Sequence, residues 1–273
     1  MRSVKAMQLQ RSILVRAAFA AALAAPAQAD PVRDRIYKPV ALADTQARFE
    51  GERPQDVSAT TADGLELRGY FFPGAPGNDQ IVVYFHGRDY NQLVAAVDAE
   101  PLRAGGRAVL VASYRGYGGN PGQPTEDGLM LDGEAWMAKA RELAPDHRLY
   151  LFGFSLGGAV ALEMAARHDV TALGTMGAFA RLADQAPWIV RGMLPDRYDN
   201  VAAVARVTEP YVLLHGTEDD VVKPKAADRL EGAGGDNLVR VNLTGGGHRV
   251  PLAQFAPKLW ELWESLERGE LPQ

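Results

Sequence analysis

Residues 149–158 read Leu-Tyr-Leu-Phe-Gly-Phe-Ser-Leu-Gly-Gly, an apolar run that breaks at a serine between glycines. The apolar half is typical of a strand buried inside a parallel sheet. The chain then continues through Ala159–Arg167, which is rich in residues that favour helices. The stretch therefore predicts a strand, a very tight turn and a helix, with Ser155 at the tip of the turn.

The motif Gly153-x-Ser155-x-Gly157 has the residue types that such a turn requires. A strand that turns sharply into a helix brings its own backbone into close contact, and glycine has no Cβ to collide there. The turn exposes the serine hydroxyl, and the unpaired N–H groups of the following helix can stabilise a developing oxyanion. We therefore interpret Ser155 as a nucleophile; the alternative is a serine in an ordinary glycine-rich turn.

Other apolar runs alternate with helical stretches along the chain, among them Ile81–Phe85, Ala108–Ala112 and Leu238–Leu243. This alternation predicts an α/β fold with a mostly parallel central sheet and helices on both faces. In such sheets, ligands bind beyond the carboxyl ends of the strands. Side chains that directly follow a strand are therefore the candidates for a functional site.

The same rule divides the five histidines into two groups. His147 and His168 precede strands and are interpreted as surface residues at the opposite edge, whereas His86, His215 and His248 follow strands. A serine nucleophile needs a base. His248 is the best candidate because it follows three glycines in a loop that can bring its ring over the serine. His86 and His215 each precede a glycine at a strand end, where a ring usually packs into the loop.

A third group must orient the base and is expected on a neighbouring strand-end loop. Such a loop holds three acids in a row, Glu218, Asp219 and Asp220. Asp184 follows another strand and is a more distant alternative. The residues alone leave this choice open.

Two backbone N–H groups are predicted to form an oxyanion hole. One belongs to Leu156, which directly follows the nucleophile, and the other to Arg88, in the loop after the Ile81–Phe85 strand.

The first 29 residues predict a secretory signal peptide. Four basic residues precede or enter an apolar run at 17–25, and the small residues Ala27-Gln28-Ala29 form a cleavage site. The apolar run is far shorter than the roughly 20 residues of a membrane span, which disfavours the alternative of an uncleaved anchor. We expect cleavage after Ala29, a periplasmic or secreted protein, and no stable membrane span after cleavage.

Composition excludes several classes of partner. Cleavage would lower the formal net charge from −5 to −9, so the protein would have no basic stripe for nucleic acid. The chain has no cysteine, which excludes disulfides, thiolate metal sites and a lipid-anchored cysteine. We expect a small-molecule substrate and neither a metal nor an organic cofactor. The oligomeric state stays open.

Four motifs, in this order, resemble the α/β-hydrolase-fold serine hydrolases, specifically the small subfamily related to acyl-protein thioesterases and prolyl-oligopeptidase-like hydrolases. They are His86-Gly87, Tyr114-Arg115-Gly116-Tyr117-Gly118, the serine elbow, and His215-Gly216-x-x-Asp219-x-x-Val222. The resemblance covers about Val57 to Leu266. It implies that Asp219 is the acid, since the acid of the family falls on this position.

Two residues depart from the pattern of the family. Ser113 stands where relatives usually have aspartate, which puts the hydrogen bonding of the following loop in doubt. Arg88 occupies an oxyanion position that more often holds an uncharged residue. We consider two alternatives for its side chain: contact with an anionic or carbonyl part of the substrate, or exposure to solvent.

The expected domain organisation has three parts. The signal peptide (1–29) is followed by an N-terminal arm (30–56), to which we assign no chemistry, and by the α/β-hydrolase domain (57–273). A short cap lies at about 178–207. Its residues Trp188 and Met193 are candidates for substrate binding in an acyl pocket; the alternative is a helix packed on the body of the domain.

The resemblance and the residues together predict an exported serine hydrolase that cleaves carboxylic esters or thioesters through an acyl-enzyme. Ser155 would attack, His248 would transfer the proton and Asp219 would orient His248. One alternative is a peptidase of the prolyl-oligopeptidase type, although the chain is too short for the propeller domain that usually accompanies it. Another is a non-catalytic binding protein on the same scaffold.

Overall fold

A computed structural model describes residues 30–44, 47–49 and 51–270 of the chain. The predicted signal peptide lies outside these described residues. Within them, the strands are β1 (Gln55–Thr60), β2 (Glu66–Phe72), β3 (Gln80–Phe85), β4 (Ala108–Ala112), β5 (Arg148–Phe154), β6 (Ala172–Met176), β7 (Tyr211–Gly216) and β8 (Leu238–Leu243).

The α-helices of the same ranges are α1 (Arg33–Ile36), α2 (Gln92–Ala99), α3 (Glu126–Leu143), α4 (Leu156–Ala165), α5 (Asn200–Val204), α6 (Lys225–Glu231) and α7 (Ala256–Glu267). Short 3₁₀ helices connect several of them, including Leu182–Gln185 and Trp188–Met193. None of the helices in the described part of the chain is long and apolar enough to span a membrane.

The strands form one sheet in the order β1-β2-β4-β3-β5-β6-β7-β8. The hairpin of β1 and β2 is antiparallel, and β2 is antiparallel to β4. The five remaining neighbouring pairs are parallel. The mostly parallel sheet of the α/β-hydrolase fold is thus confirmed. The hairpin of β1 and β2 turns at Asp63-Gly64, where Gly64 has a φ of +87°.

Side chains that alternate along each strand form a separate core on each face of the sheet. On β3, Ile81, Val83 and Phe85 pack into a cluster with α3 and α4, whereas Val82 and Tyr84 pack on the other face with α2 and α7. The two clusters account for the continuous apolar sequence of the central strands. They confirm the prediction of helices on both faces.

Capping side chains set the start of two helices. Thr125 accepts a hydrogen bond from the Gly128 amide at 3.0 Å and is the N-cap of α3. Asn91 accepts from the Leu93 and Val94 amides and is the N-cap of α2. It continues beyond Ala99 as a 3₁₀ turn over Glu100–Arg103.

The N-terminal arm is part of the folded body. Residues 33–36 form α1, and Ile36 and Tyr37 are buried in the core cluster that also contains α3. The expected boundary between arm and domain, at residues 56 and 57, falls inside β1.

Candidate active site

Ser155 forms the turn between β5 and α4 and has a φ of +52° and a ψ of −113°. This conformation is strained for a residue with a Cβ and costs about 1–3 kcal/mol. Both glycines of the motif are needed because the backbone is crowded: a Cβ at Gly153 would overlap the Gly157 carbonyl, and a Cβ at Gly157 would overlap the Phe85 carbonyl. The elbow predicted from the sequence is confirmed.

The structure brings Ser155, His248 and Asp219 into one chain of hydrogen bonds. His248 Nε2 lies 3.0 Å from Ser155 Oγ, and His248 Nδ1 lies 2.8 Å from Asp219 Oδ2. The three residues follow β5, β7 and β8, so they meet at the carboxyl edge of the parallel strands. An imidazole in this position can accept the serine proton while the carboxylate fixes its tautomer.

Asp219 is buried and fully hydrogen-bonded. Its Oδ1 accepts the amides of Val221 and Val222 at 3.0 and 2.8 Å, which leaves Oδ2 for His248. Burial alone would raise the pKa of this carboxyl, but the hydrogen bonds from His248 and the Val222 amide outweigh burial and lower the pKa. The acid is therefore ionised and oriented.

The loop that carries His248 packs closely on its neighbours. A Cβ at Gly216 would overlap the Gly246 and Gly247 carbonyls, and a Cβ at Gly177 would lie 3.0 Å from His248 Cε1. The Glu218 amide donates to the Gly246 carbonyl at 2.9 Å. Glycines on the adjacent strand ends thus make room for the histidine loop beside the elbow.

His215 is close to the same acid, a contact that the sequence reasoning missed. Its Nε2 lies 2.8 Å from the Val222 carbonyl and 3.4 Å from Asp219 Oδ2. Because a carbonyl only accepts, Nε2 carries the proton, and burial lowers the pKa of this ring. The four-residue spacing of His215 and Asp219 across the turn was the only sequence signal for this proximity.

His86 is packed into its loop, as predicted. Its Nδ1 donates to the Gly87 carbonyl at 2.8 Å, and its Nε2 lies 3.3 Å from the Ser113 hydroxyl. Burial lowers the pKa of His86 to about 4. The Ser113 hydroxyl therefore contacts a neutral imidazole. The loop after Ser113 is held by Asp132, whose carboxylate accepts the Arg115 amide at 2.9 Å.

The remaining sequence candidates lie elsewhere. Glu218 and Asp220 are exposed, and Asp184 pairs with Arg229. His168 Nε2 lies 2.6 Å from Glu134 Oε2, before β6. Among the described residues, no group of three histidine, aspartate or glutamate side chains is arranged to hold a metal ion.

The two predicted oxyanion donors lie in segments that contact the serine elbow. Leu156 is the first residue of α4, so its amide has no partner within the helix. The loop that carries Arg88 lies against the elbow, since a Cβ at Gly87 would be 2.9 Å from the Phe154 ring. Within the described ranges, the Arg88 amide donates to no backbone group. The Arg88 guanidinium contacts the Arg35 carbonyl of the arm at 3.4 Å.

The cap residues Trp188 and Met193 lie in the 3₁₀ helix Trp188–Met193 and are 79% and 76% exposed. The alternative of packing onto the body of the domain is therefore wrong for these two side chains. Ile189 in the same 3₁₀ helix is also exposed, whereas Leu194, which directly follows the helix, packs against the core.

Comparisons with known proteins agree with this architecture. The family model described as alpha/beta hydrolase fold matches residues 70–203. An uncharacterized protein of Mycobacterium tuberculosis is 34% identical over 206 residues, which is 72% of this chain and 73% of that protein.

Two solved structures have the same fold. An esterase of Pyrococcus furiosus is 18% identical with a TM-score of 0.66, covering 85% of this chain and 98% of the esterase. A serine hydrolase without a lid from Xanthomonas campestris is 20% identical with a TM-score of 0.55, covering 81% of this chain and 95% of that hydrolase. By sequence match and by sheet topology, this chain belongs to the alpha/beta-hydrolase-fold hydrolases.

Proposed function

We propose that the chain is a serine hydrolase that cleaves carboxylic esters or thioesters through an acyl-enzyme intermediate. The observation that carries this proposal is the continuous hydrogen-bond chain from Ser155 through His248 to Asp219. The strained φ of Ser155 supports it further, since such strain persists where the surrounding structure imposes it and is concentrated at active sites.

Acylation begins when Ser155 Oγ attacks the carbonyl carbon of the substrate and His248 Nε2 accepts the hydroxyl proton. The carbonyl oxygen becomes an oxyanion, which the amides of Leu156 and Arg88 stabilise. His248 then donates its proton to the leaving alcohol or thiol as the carbonyl re-forms. The product is an ester between Ser155 and the acyl group.

Deacylation repeats the same steps with water as the nucleophile. His248 accepts a proton from water, the hydroxide adds to the acyl carbon, and the proton returns to Ser155 Oγ as the carboxylic acid leaves. Throughout, the ionised Asp219 stabilises the imidazolium form of His248, because its lowered pKa keeps the carboxylate charged at neutral pH.

For the substrate, we propose an ester or thioester with an apolar acyl group of modest size. The exposed Trp188 and Met193 offer apolar surface on the cap, which follows the carboxyl end of β6 and so belongs to the active-site edge. The cap is short, in keeping with a partly open site. We also propose export, with the mature chain starting at Asp30; N-terminal sequencing of the protein from a periplasmic fraction tests this.

The test of the reaction is hydrolysis of p-nitrophenyl esters and thioesters of increasing chain length, followed by intact-mass measurement at early times. We expect turnover and a mass increase equal to the acyl group less the hydrogen that it replaces, both lost in Ser155→Ala. A folded protein that neither hydrolyses these substrates nor gains mass would favour the non-catalytic binding protein. Cleavage of peptide amides in preference to esters would favour the peptidase.

A further inference from the structure

Residues 33–41 of the N-terminal arm run beside the loop that carries the second oxyanion donor. The Lys38 amide donates to the Arg88 carbonyl at 3.1 Å, and the Val40 amide donates to the Tyr90 carbonyl at 3.3 Å. The two bonds join alternate residues of each segment, as in a short piece of β-pairing. The arm therefore holds the backbone of residues 88–90, which lies beyond the end of β3.

Two side chains of the loop reinforce this pairing by donating hydrogen bonds to carbonyls of the arm. The Asn91 side-chain amide donates to the Ala41 carbonyl at 3.2 Å. The Arg88 guanidinium donates to the Arg35 carbonyl at 3.4 Å. These four hydrogen bonds connect four residues of the arm to three residues of the loop, Arg88, Tyr90 and Asn91.

The arm is itself fastened to the body of the domain. Arg33 Nε lies 3.0 Å from Asp196 Oδ2, and the Tyr37 and Tyr198 hydroxyls are 2.9 Å apart. Both tyrosines are 2% exposed, so this contact is buried. The arm therefore links the base of the cap, at residues 196–198, to the oxyanion loop.

We propose that residues 33–41 are a positioning strap, which fixes the peptide after Arg88 and so restricts rotation of the Arg88 N–H, which then meets the substrate oxyanion. This inference rests on the proposed serine hydrolase function. Because each peptide is planar, holding the Arg88 carbonyl fixes the peptide that follows Arg88. The His86 ring holds the Gly87 carbonyl, which lies in the same peptide plane as the Arg88 N–H. The strap and His86 together leave this donor little freedom to turn.

The decisive variant removes one backbone donor of the strap without touching the active site. Lys38→Pro deletes the amide that holds the Arg88 carbonyl. Tyr37, which precedes it, has a φ of −104° and a ψ of +133°, a conformation that a following proline favours. Lys38→Ala is the matched control, since it shortens the exposed side chain and keeps the amide.

In the full mature chain, we expect Lys38→Pro to lower kcat for a p-nitrophenyl ester by about 10- to 100-fold, with KM within about twofold. The affinity for a trifluoromethyl ketone, whose adduct carries an oxyanion, should fall by a similar factor. Lys38→Ala should match the wild type in both. A merely structural role of the strap would change the melting temperature but not this parallel loss.

Equal kcat in Lys38→Pro and Lys38→Ala would overturn the strap while leaving the proposed function intact. A wild type without turnover or labelling would overturn both. If Lys38→Pro does not fold, Tyr37→Phe loosens the other end of the strap, and we expect it to lower kcat without raising KM. Full kcat in folded Tyr37→Phe would then overturn the proposal.

Discussion

The carboxylate of Asp219 lies 2.8 Å from His248 Nδ1, although 29 positions separate the two residues in the chain. The other carboxylate oxygen is held by the Val221 and Val222 amides. Hydrogen bonds within its own turn thus orient the Asp219 carboxylate independently of His248. This arrangement makes the orientation of His248 depend on one carboxylate oxygen.

Asp219→Asn should therefore lower kcat/KM for an ester by about 10³- to 10⁴-fold, because an amide cannot hold the required tautomer of His248. The fold should be retained, since asparagine has the same shape. Steady-state kinetics measures the effect. Asp220→Asn, an exposed neighbour, is the control and should keep nearly full activity. Similar losses in the two variants would remove Asp219 from its proposed role.

Gly157→Ala should destabilise the protein by about 3 kcal/mol or more, because its Cβ would overlap the carbonyl of Phe85 and come within 2.6 Å of the His86 carbonyl. Urea denaturation measures the free energy of unfolding. Gly192→Ala is the control, since nothing lies within 4 Å of a Cβ there, and it should change stability by no more than about 0.5 kcal/mol. Equal effects would contradict the crowded elbow.

The buried His86 predicts a pH dependence of stability. Burial lowers its pKa from 6.5 to about 4. The unfolded chain therefore binds a proton below about pH 6.5 that the folded chain does not bind until about pH 4, so stability falls as the pH decreases through this window. The expected loss from this residue is about 2–3 kcal/mol between pH 7.5 and pH 4.5.

His86→Gln removes this titration, so its free energy of unfolding should fall less over the same range than that of the wild type. Urea denaturation at pH 7.5, 5.5 and 4.5 measures both slopes. His147→Gln, which changes a partly exposed histidine before β5, controls for the loss of a histidine outside the core. Parallel curves for wild type and His86→Gln would refute a buried neutral ring.

Trp188→Ala and Met193→Ala should leave the free energy of unfolding within about 0.5 kcal/mol of the wild type, because both side chains are exposed. If they contact the acyl group, KM should rise about 5- to 10-fold for an octanoate ester, since burial of such side chains contributes more than 1 kcal/mol. KM for an acetate ester should stay unchanged and is the internal control. Unchanged KM for both esters would remove these residues from the substrate site.

Two physical constraints explain why much of the fold and of the site could be predicted from the sequence. The sharp turn at Ser155 requires glycines at fixed positions, and parallel strands bring residues such as His248 to one edge wherever they lie in the chain. Both constraints can be read without coordinates. They were sufficient for the central sheet, for Ser155 and for His248, whereas the choice of Asp219 among three adjacent acids came from the family resemblance.

Two kinds of feature were not predicted from the sequence: contacts between residues far apart in the chain, and large apolar side chains that lie on the surface. The Tyr37–Tyr198 hydrogen bond joins positions 161 apart, and no periodic pattern marks either partner. For Trp188 and Met193, packing on the body of the domain was one alternative because large apolar residues are usually buried. Both side chains lie on the surface. The arm had no motif, and its role emerges only from its pairing with residues 88–90.

The most direct test of the account is covalent labelling of the mature protein by a fluorophosphonate probe. An activated serine predicts one probe per chain, recovered by mass spectrometry on the peptide that contains Ser155, and no labelling of Ser155→Ala or of heat-denatured protein. Failure of folded wild-type protein to react, or undiminished labelling of Ser155→Ala, would contradict the assignment of Ser155 as the nucleophile.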